Sequence, residues 1–259
     1  APFVNAEITE YLVLEDAFPN GRPALEGAGG YLTDRTTVEK AEKMKVGTCL
    51  NPLHTALAVY GCLLGYTSIA AEMGDADLKA LVEHIAAESL PVVEDPGILS
   101  PRAFIDEVLH ERFPNPAIPD TPQRIAADTS QKLPVRYGGT LRRYARQSEQ
   151  ALAGLEFAPL VFAGWCRYLL GVDDRGNAMP VSPDPMLPQL QAHLKGIEVG
   201  RPDSLAGQLR PILSNAALFG VDLYAAGLGE RTEEMFRDML AGPGAVRATL
   251  HRNCACKQP

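Results

Sequence analysis

The chain has 259 residues, 46% of them apolar, with a net charge of -8 and an isoelectric point near 5.2. That is enough apolar material for one large domain or two small ones with a real core, while the acidic balance and scattered Lys and Arg argue against nucleic acid or an anionic membrane as a partner, since either needs a basic face. The longest apolar run, around Thr55 to Tyr66, is shorter than the roughly 20 residues of a membrane span. Ala1 begins no signal-peptide pattern, so the cytoplasm is the expected compartment.

Glu7 to Glu15 (EITEYLVLE) reads as a strand, closed by the turn-rich stretch AFPNGRP. A lone strand is unstable, so it should pair with a short strand near Tyr31 and Leu32 or with a sheet outside the chain. Beyond Asp34 the pattern is helical almost throughout. Ser100-Pro101 and Thr121-Pro122 each place a hydroxyl at an N-cap and Pro at the first helical position, and Asp75 precedes ADLKALVEHIAAE. Helices are predicted near 36–49, 52–73, 76–89, 101–112, 122–131, 135–151, 154–170, 186–196, 203–217, 231–241 and 244–252. Between them Gly171 to Met186, with three Pro and two Gly, reads as a long surface loop. The cysteines, Cys49, Cys62, Cys166, Cys254 and Cys256, are odd in number, and three sit in apolar helical patterns, which argues against a disulfide framework. Cys254 and Cys256 have no second pair at zinc-binding spacing and are expected in a tail without a role; neither they nor His54, His84 and His110 point to a metal site.

The most informative stretch is Glu42 to Tyr66, EKMKVGTCLNPLHTALAVYGCLLGY. Apolar residues from Leu53 onward cover nearly every side of a helix, the pattern of one buried all round. Gly61 and Gly65 would permit close approach of another backbone. At its start, Asn51 and His54 share a face, and Lys45 lies one to two turns upstream. Burial would lower the pKa of Lys45 and make its amine a general base, Asn51 can donate to an oxygen gaining negative charge, and His54 can hydrogen-bond a hydroxyl. The alternative is a solvated Lys45, an Asn51 that is only an N-cap and a core His54.

Four blocks in order, VLEDAFPNGRPALE, EKMK, LNPLHTALAVYGCLLGY and ERFPNPAIPDTPQRIAADTSQKLP, resemble the C-terminal region of the polyol-specific long-chain dehydrogenases, the mannitol dehydrogenase and fructuronate reductase (mannonate oxidoreductase) family. The resemblance is strong over about 1–150. It implies a mainly α domain like the C-terminal domain of 6-phosphogluconate dehydrogenase, and NAD-dependent interconversion of a keto sugar acid or ketose with its secondary alcohol. It implies Lys45 as catalytic base, Asn51 polarising the reacting oxygen, His54 orienting substrate, Glu42 gating proton exchange, and Arg112 holding substrate oxygens.

The Lys-to-Asn spacing exceeds the family pattern by one residue, and Pro52 lacks the amide that would bond back to Thr48, so a kink or π-bulge is expected there. The glycine cluster Gly27 to Gly30 is no dinucleotide fingerprint. Residues 1–35 are therefore expected to be a strand and loop remnant of the family's nucleotide-binding domain, and 36–259 the helical substrate domain. NAD would be held mainly by that other domain, in cis or in trans, and without it the chain should be inactive. Arg112, Arg124 and Lys132 tilt the substrate toward a uronate such as fructuronate/mannonate over mannitol/fructose. The competing reading is a non-catalytic helical association or regulatory module.

Overall fold

The computed structural model describes residues 12–255. Two three-residue strands, β1 (Val13–Glu15) and β2 (Tyr31–Thr33), pair in parallel with Val13 opposite Tyr31 and Leu14 opposite Leu32. This is the pairing expected near Tyr31; residues 7–11 of the predicted strand lie outside the described residues. Parallel strands need a crossover, and here it is a loop holding a short 3-10 turn, clamped by Arg22 on Asp16 and Glu26.

Asp34 caps α1 (Arg35–Met44) by accepting from the Thr37 amide, and a π turn, Lys45–Cys49, joins it to α2 (Asn51–Leu64). Every residue of α2 between Pro52 and Leu63 is buried except His54, as the apolar run requires. The helix stops at Gly65, whose φ of 81° is the left-handed cap that glycine supplies without strain. Gly65 is thus a helix end and not a point of close approach; Ser68 caps the short α3 (Ile69–Glu72), so the predicted 52–73 helix is two. At Gly61 a Cβ would stand 2.6 Å from the Glu72 carboxyl carbon and 2.9 Å from Pro122, so its bareness makes room for side chains.

Helix α2 is packed most extensively by α4 (Ala76–Ser89), α6 (Pro122–Ile125) and α10 (Phe157–Tyr168). Of these, α10 is buried along its whole length, and Gly164 lets it lie against the Tyr60 ring, where a Cβ would come within 2.7 Å; Tyr60 Oη donates to Leu160 O at 2.8 Å. Before α6 come α5 (Pro101–Glu107) and a second π turn, Val108–Arg112. The predicted 122–131 helix is divided, because Asp128 takes φ 54° between α6 and α7 (Thr129–Arg136). The 135–151 prediction likewise splits into α8 (Gly138–Gln147) and α9 (Glu149–Ala153) at Ser148, an extended residue whose hydroxyl caps α9.

The loop 171–186 is tied down: Asp174 N donates to Leu63 O, and Asp184 accepts from the Ser130 amide and hydroxyl. After α11 (Leu187–His193), the 203–217 helix is not formed. A 3-10 turn at Pro202–Ser204, then α12 (Arg210–Leu213) and α13 (Ala216–Phe219), stand there, separated by Gly207 in the left-handed region and by the Asn215 cap. The chain closes with α14 (Gly229–Met239), packed on α10, and α15 (Ala245–Cys254), packed on α4. Cys254 is buried in α15, its carbonyl 3.3 Å from His84 Nε2, so this residue belongs to the core and not to a tail; Cys256 lies outside the described residues. The four described cysteines are buried free thiols. No helix among the described residues is long and apolar enough to cross a membrane.

Candidate active site

Pro52 has no N–H to give Thr48 O, and the backbone upstream widens to accommodate this. The Leu50 amide reaches back five residues to Lys45 O at 3.1 Å, which is the π turn, and regular α bonding resumes with His54 N to Leu50 O at 3.0 Å. The extra residue between Lys45 and Asn51 is taken up in this turn. Residues around the α7–α8 junction hold the turn and the start of α2 from the side: Thr140 Oγ1 donates to Gly47 O at 3.3 Å, Tyr137 Oη to Pro52 O at 2.7 Å, and Arg136 Nη1 to Thr55 Oγ1 at 2.7 Å.

Lys45 is half-buried and, with the exposed Glu42, lines a cavity of about 250 Å³ walled by Val13, Val38, Leu99 and Phe104. Glu42 also lines a wider cavity of about 540 Å³ with Lys43, Arg143 and Arg146. The two predicted partners, three residues apart, therefore do share one space. Asn51 is half-buried one turn further on, and its carbonyl accepts from Thr55 Oγ1 at 2.9 Å.

His54 points to a different neighbourhood. Its ring stacks obliquely on Phe113, with centroids 5.2 Å apart, and Nε2 is buried 3.3 Å from Asp120 Oδ2 without completing a hydrogen bond. Burial lowers the imidazole pKa against the opposing pull of Asp120, and so favours the neutral ring. Asp120 is held low by His54, with Arg124 and Arg112 helping. Arg124 pairs closely with Oδ1 from the next turn, and Arg112 Nη2 lies 3.9 Å from Oδ2. Arg112 is thus turned to Asp120 with its side chain only 14% exposed, whereas Arg124 is 63% exposed. Lys132 donates to Ile125 O and Ala127 O, and desolvation lowers its pKa.

The structure therefore brings Lys45 with Glu42, and His54 with Arg112, on successive turns of one chain segment, with Asn51 between them. Asp120 and Arg136 were not singled out from sequence. Asp120 carried only the weak signal of standing just before the Thr121-Pro122 helix start. Among the described residues no group of three or more His, Cys, Asp or Glu is placed to hold a metal ion.

This mainly helical fold is shared with two solved dehydrogenases. Pseudomonas fluorescens mannitol 2-dehydrogenase, solved as a ternary complex with NAD and D-mannitol, superposes with a TM-score of 0.76 at 30% identity, over 95% of this chain and 46% of that one. A D-sorbitol dehydrogenase in substrate-free form gives 0.73 at 25% identity, over 92% and 46%.

The chain belongs to the mannitol dehydrogenase family: residues 37–233 match the mannitol dehydrogenase C-terminal domain. It is 58% identical over 252 residues to the D-mannonate oxidoreductase of Thermotoga maritima, covering 96% of this chain and 47% of that protein. It is 37% identical to the mannitol 2-dehydrogenase of Emericella nidulans, covering 82% and 39%. The chain spans about half the length of these relatives. The family read from the four sequence blocks, and the mainly helical fold with a short N-terminal β segment, are both confirmed.

Proposed function

We propose that this chain is the substrate-binding and catalytic domain of an NAD-dependent oxidoreductase that interconverts a keto sugar acid and its secondary alcohol, of the fructuronate/mannonate type, with mannitol/fructose next in order. Residues 36–259 form that domain, and 1–35 belong with a nucleotide-binding domain supplied in cis or in trans. The observation that carries the reading is the identity to a D-mannonate oxidoreductase across nearly all of this chain. The cations beside His54 agree with a carboxylate substrate.

Gly27 to Gly30 sit in and after a 3-10 turn with Gly29 as its left-handed cap, and so do not form the phosphate-binding turn of a dinucleotide fingerprint. The dinucleotide, when bound, supplies the hydride acceptor. Toward the substrate, Lys45 Nζ takes the hydroxyl proton, and returns it in the reductive direction. Asn51 donates its amide N–H to the oxygen whose charge changes. His54 holds a neighbouring hydroxyl. Glu42, which borders both the Lys45 cavity and the wider one, passes the proton between Lys45 and solvent. Arg124 is the cation presented outward to a carboxylate, and Arg112 acts beside it through Asp120.

The test is an assay of the protein together with its nucleotide-binding domain against fructuronate, tagaturonate, fructose and mannitol with NADH or NAD. Lys45→Ala is expected to lower kcat by about a hundred- to ten-thousandfold, the range general-base catalysis supplies. Full turnover in that variant removes the base, and absence of turnover on all four substrates removes the activity.

A further inference from the structure

His54 raises a question that its place in the family leaves open: which ring nitrogen carries the proton. Nε2 is buried, and the acceptor within reach is Asp120 Oδ2 at 3.3 Å. Nδ1 makes no hydrogen bond and is not among the buried unpaired polar atoms, so it is the nitrogen that solvent reaches. A carboxylate can only accept. With the proton on Nδ1, the lone pair of Nε2 would face a carboxylate oxygen across 3.3 Å with nothing between them; with the proton on Nε2, a small rotation of the ring completes a charge-assisted bond.

The carboxylate is itself immobilised. Asp120 N donates to Ile118 O at 2.8 Å, and Asp120 O accepts from Ile69 N at 3.0 Å. Its side chain is gripped by Arg124 and approached by Arg112. The Phe113 ring closes the other side of the imidazole. The charged groups that bear on the pair are Arg112, Arg124 and Arg136: Arg124 and Arg112 add to the His54 contact in holding the carboxylate ionised, while Arg136 and Arg124 disfavour a charged imidazole.

We propose that Asp120 is the positioning residue for His54: it fixes the neutral imidazole as the Nε2-H tautomer, so that Nδ1 faces the substrate as a hydrogen-bond acceptor. His54 then receives a hydrogen bond from a substrate hydroxyl while Asn51 donates one, and a ketone oxygen placed at Nδ1 meets repulsion. Donor and acceptor, one turn apart on α2, distinguish a carbon bearing oxygen without hydrogen from its hydroxyl-bearing neighbour. The kinetic part of this inference rests on the function proposed above; the tautomer does not.

The experiment is a long-range proton-nitrogen correlation spectrum of the full chain labelled with 15N-histidine, the His54 signals assigned by their loss in His54→Gln. Expected are a protonated, pyrrole-like Nε2 and a bare, pyridine-like Nδ1 near neutral pH. Asp120→Ala should shift these signals toward a tautomer average. A proton on Nδ1 in the wild-type spectrum overturns the proposal whether or not any variant folds. An unchanged tautomer in folded Asp120→Ala also overturns it. In the protein with its nucleotide-binding domain, Asp120→Ala should raise KM about ten- to hundredfold beyond its effect on kcat. If no substrate is turned over, the activity reading fails while the spectrum still decides the tautomer.

Discussion

Glu72 is a buried carboxyl group whose oxygens find no hydrogen-bond partner among the described residues. It is fully buried at the end of α3, both oxygens lack a hydrogen bond, and its pKa is pushed up to about 9, by burial first and Asp75 second. It is therefore protonated at neutral pH when folded and ionised when unfolded, where the ordinary value is 4.5. The folded state binds the extra proton, so the contribution of this residue to stability is complete below pH 4.5, declines as pH rises, and is gone above about 9. The span corresponds to an effect on the order of several kcal/mol. Glu72→Gln should consequently gain on the wild type as pH rises, with the gap widening from pH 5 to 9. Urea unfolding of both proteins at three pH values measures it, and a gap that does not change with pH would contradict the assignment. No sequence signal marked Glu72: in the IAAE stretch it looks like the ordinary polar residue of a helix turn, and only the fold brings it under Gly61 and Pro122. Lys45, Asn51 and His54 stand out in the sequence because unlike chemistries lie close together ahead of a long apolar run. Asp120 was not, because its partners come from residues 54, 112 and 124.

At the scale of elements, three helix starts with local caps stand at the predicted residue, whereas the start of α10, whose cap is remote, lies three residues beyond its predicted position. Asp75, Ser100 and Thr121 each accept from amides two or three residues on, and α4, α5 and α6 begin where those residues predict. The start of α10 has no such residue. Its first amides, on Glu156, Phe157 and Ala158, donate instead to the Glu88 carboxylate of α4, at 2.6, 3.0 and 3.2 Å, an arrangement that also suits the positive end of the helix dipole. Glu88→Ala should cost about 2 kcal/mol, roughly that of a strong N-cap, and Glu88→Gln should recover part of it because one acceptor oxygen remains. Equilibrium denaturation checks both, with the loss expected in the midpoint and not in the slope. The 203–217 prediction failed for a related reason. Apolar spacing there continues across Gly207 and Asn215, but a left-handed glycine and an Asn that caps its own short turn outweigh periodicity.

Across the whole molecule, the π turn decides how the parts of the site stand to one another. One added residue would rotate everything upstream by about 100° in a continuous α-helix; confined to a single wide turn, it leaves α1 and α2 each regular. The presence of this turn could be anticipated from Pro52 and the six-residue spacing. Its lateral support from Tyr137, Arg136 and Thr140 could not, since those contacts span more than eighty positions.

The thiols offer a way to watch these parts move. Cys49 lies in the π turn, Cys62 in α2, Cys166 in α10 and Cys254 in α15, and burial pushes each up to about 12. At pH 8 only about one molecule in ten thousand then carries a given thiolate, so a native thiol is almost inert to alkylation. Iodoacetamide should thus react at a rate set by how often each segment opens, and peptide mapping after timed quenches would rank four regions by their opening frequency. Cys49 should be alkylated before Cys166, because a turn bridged by single side-chain bonds opens more readily than a helix enclosed on every side. Each cysteine is in that sense a clock already built into the chain, and the one at position 49 keeps time for the segment that carries Lys45.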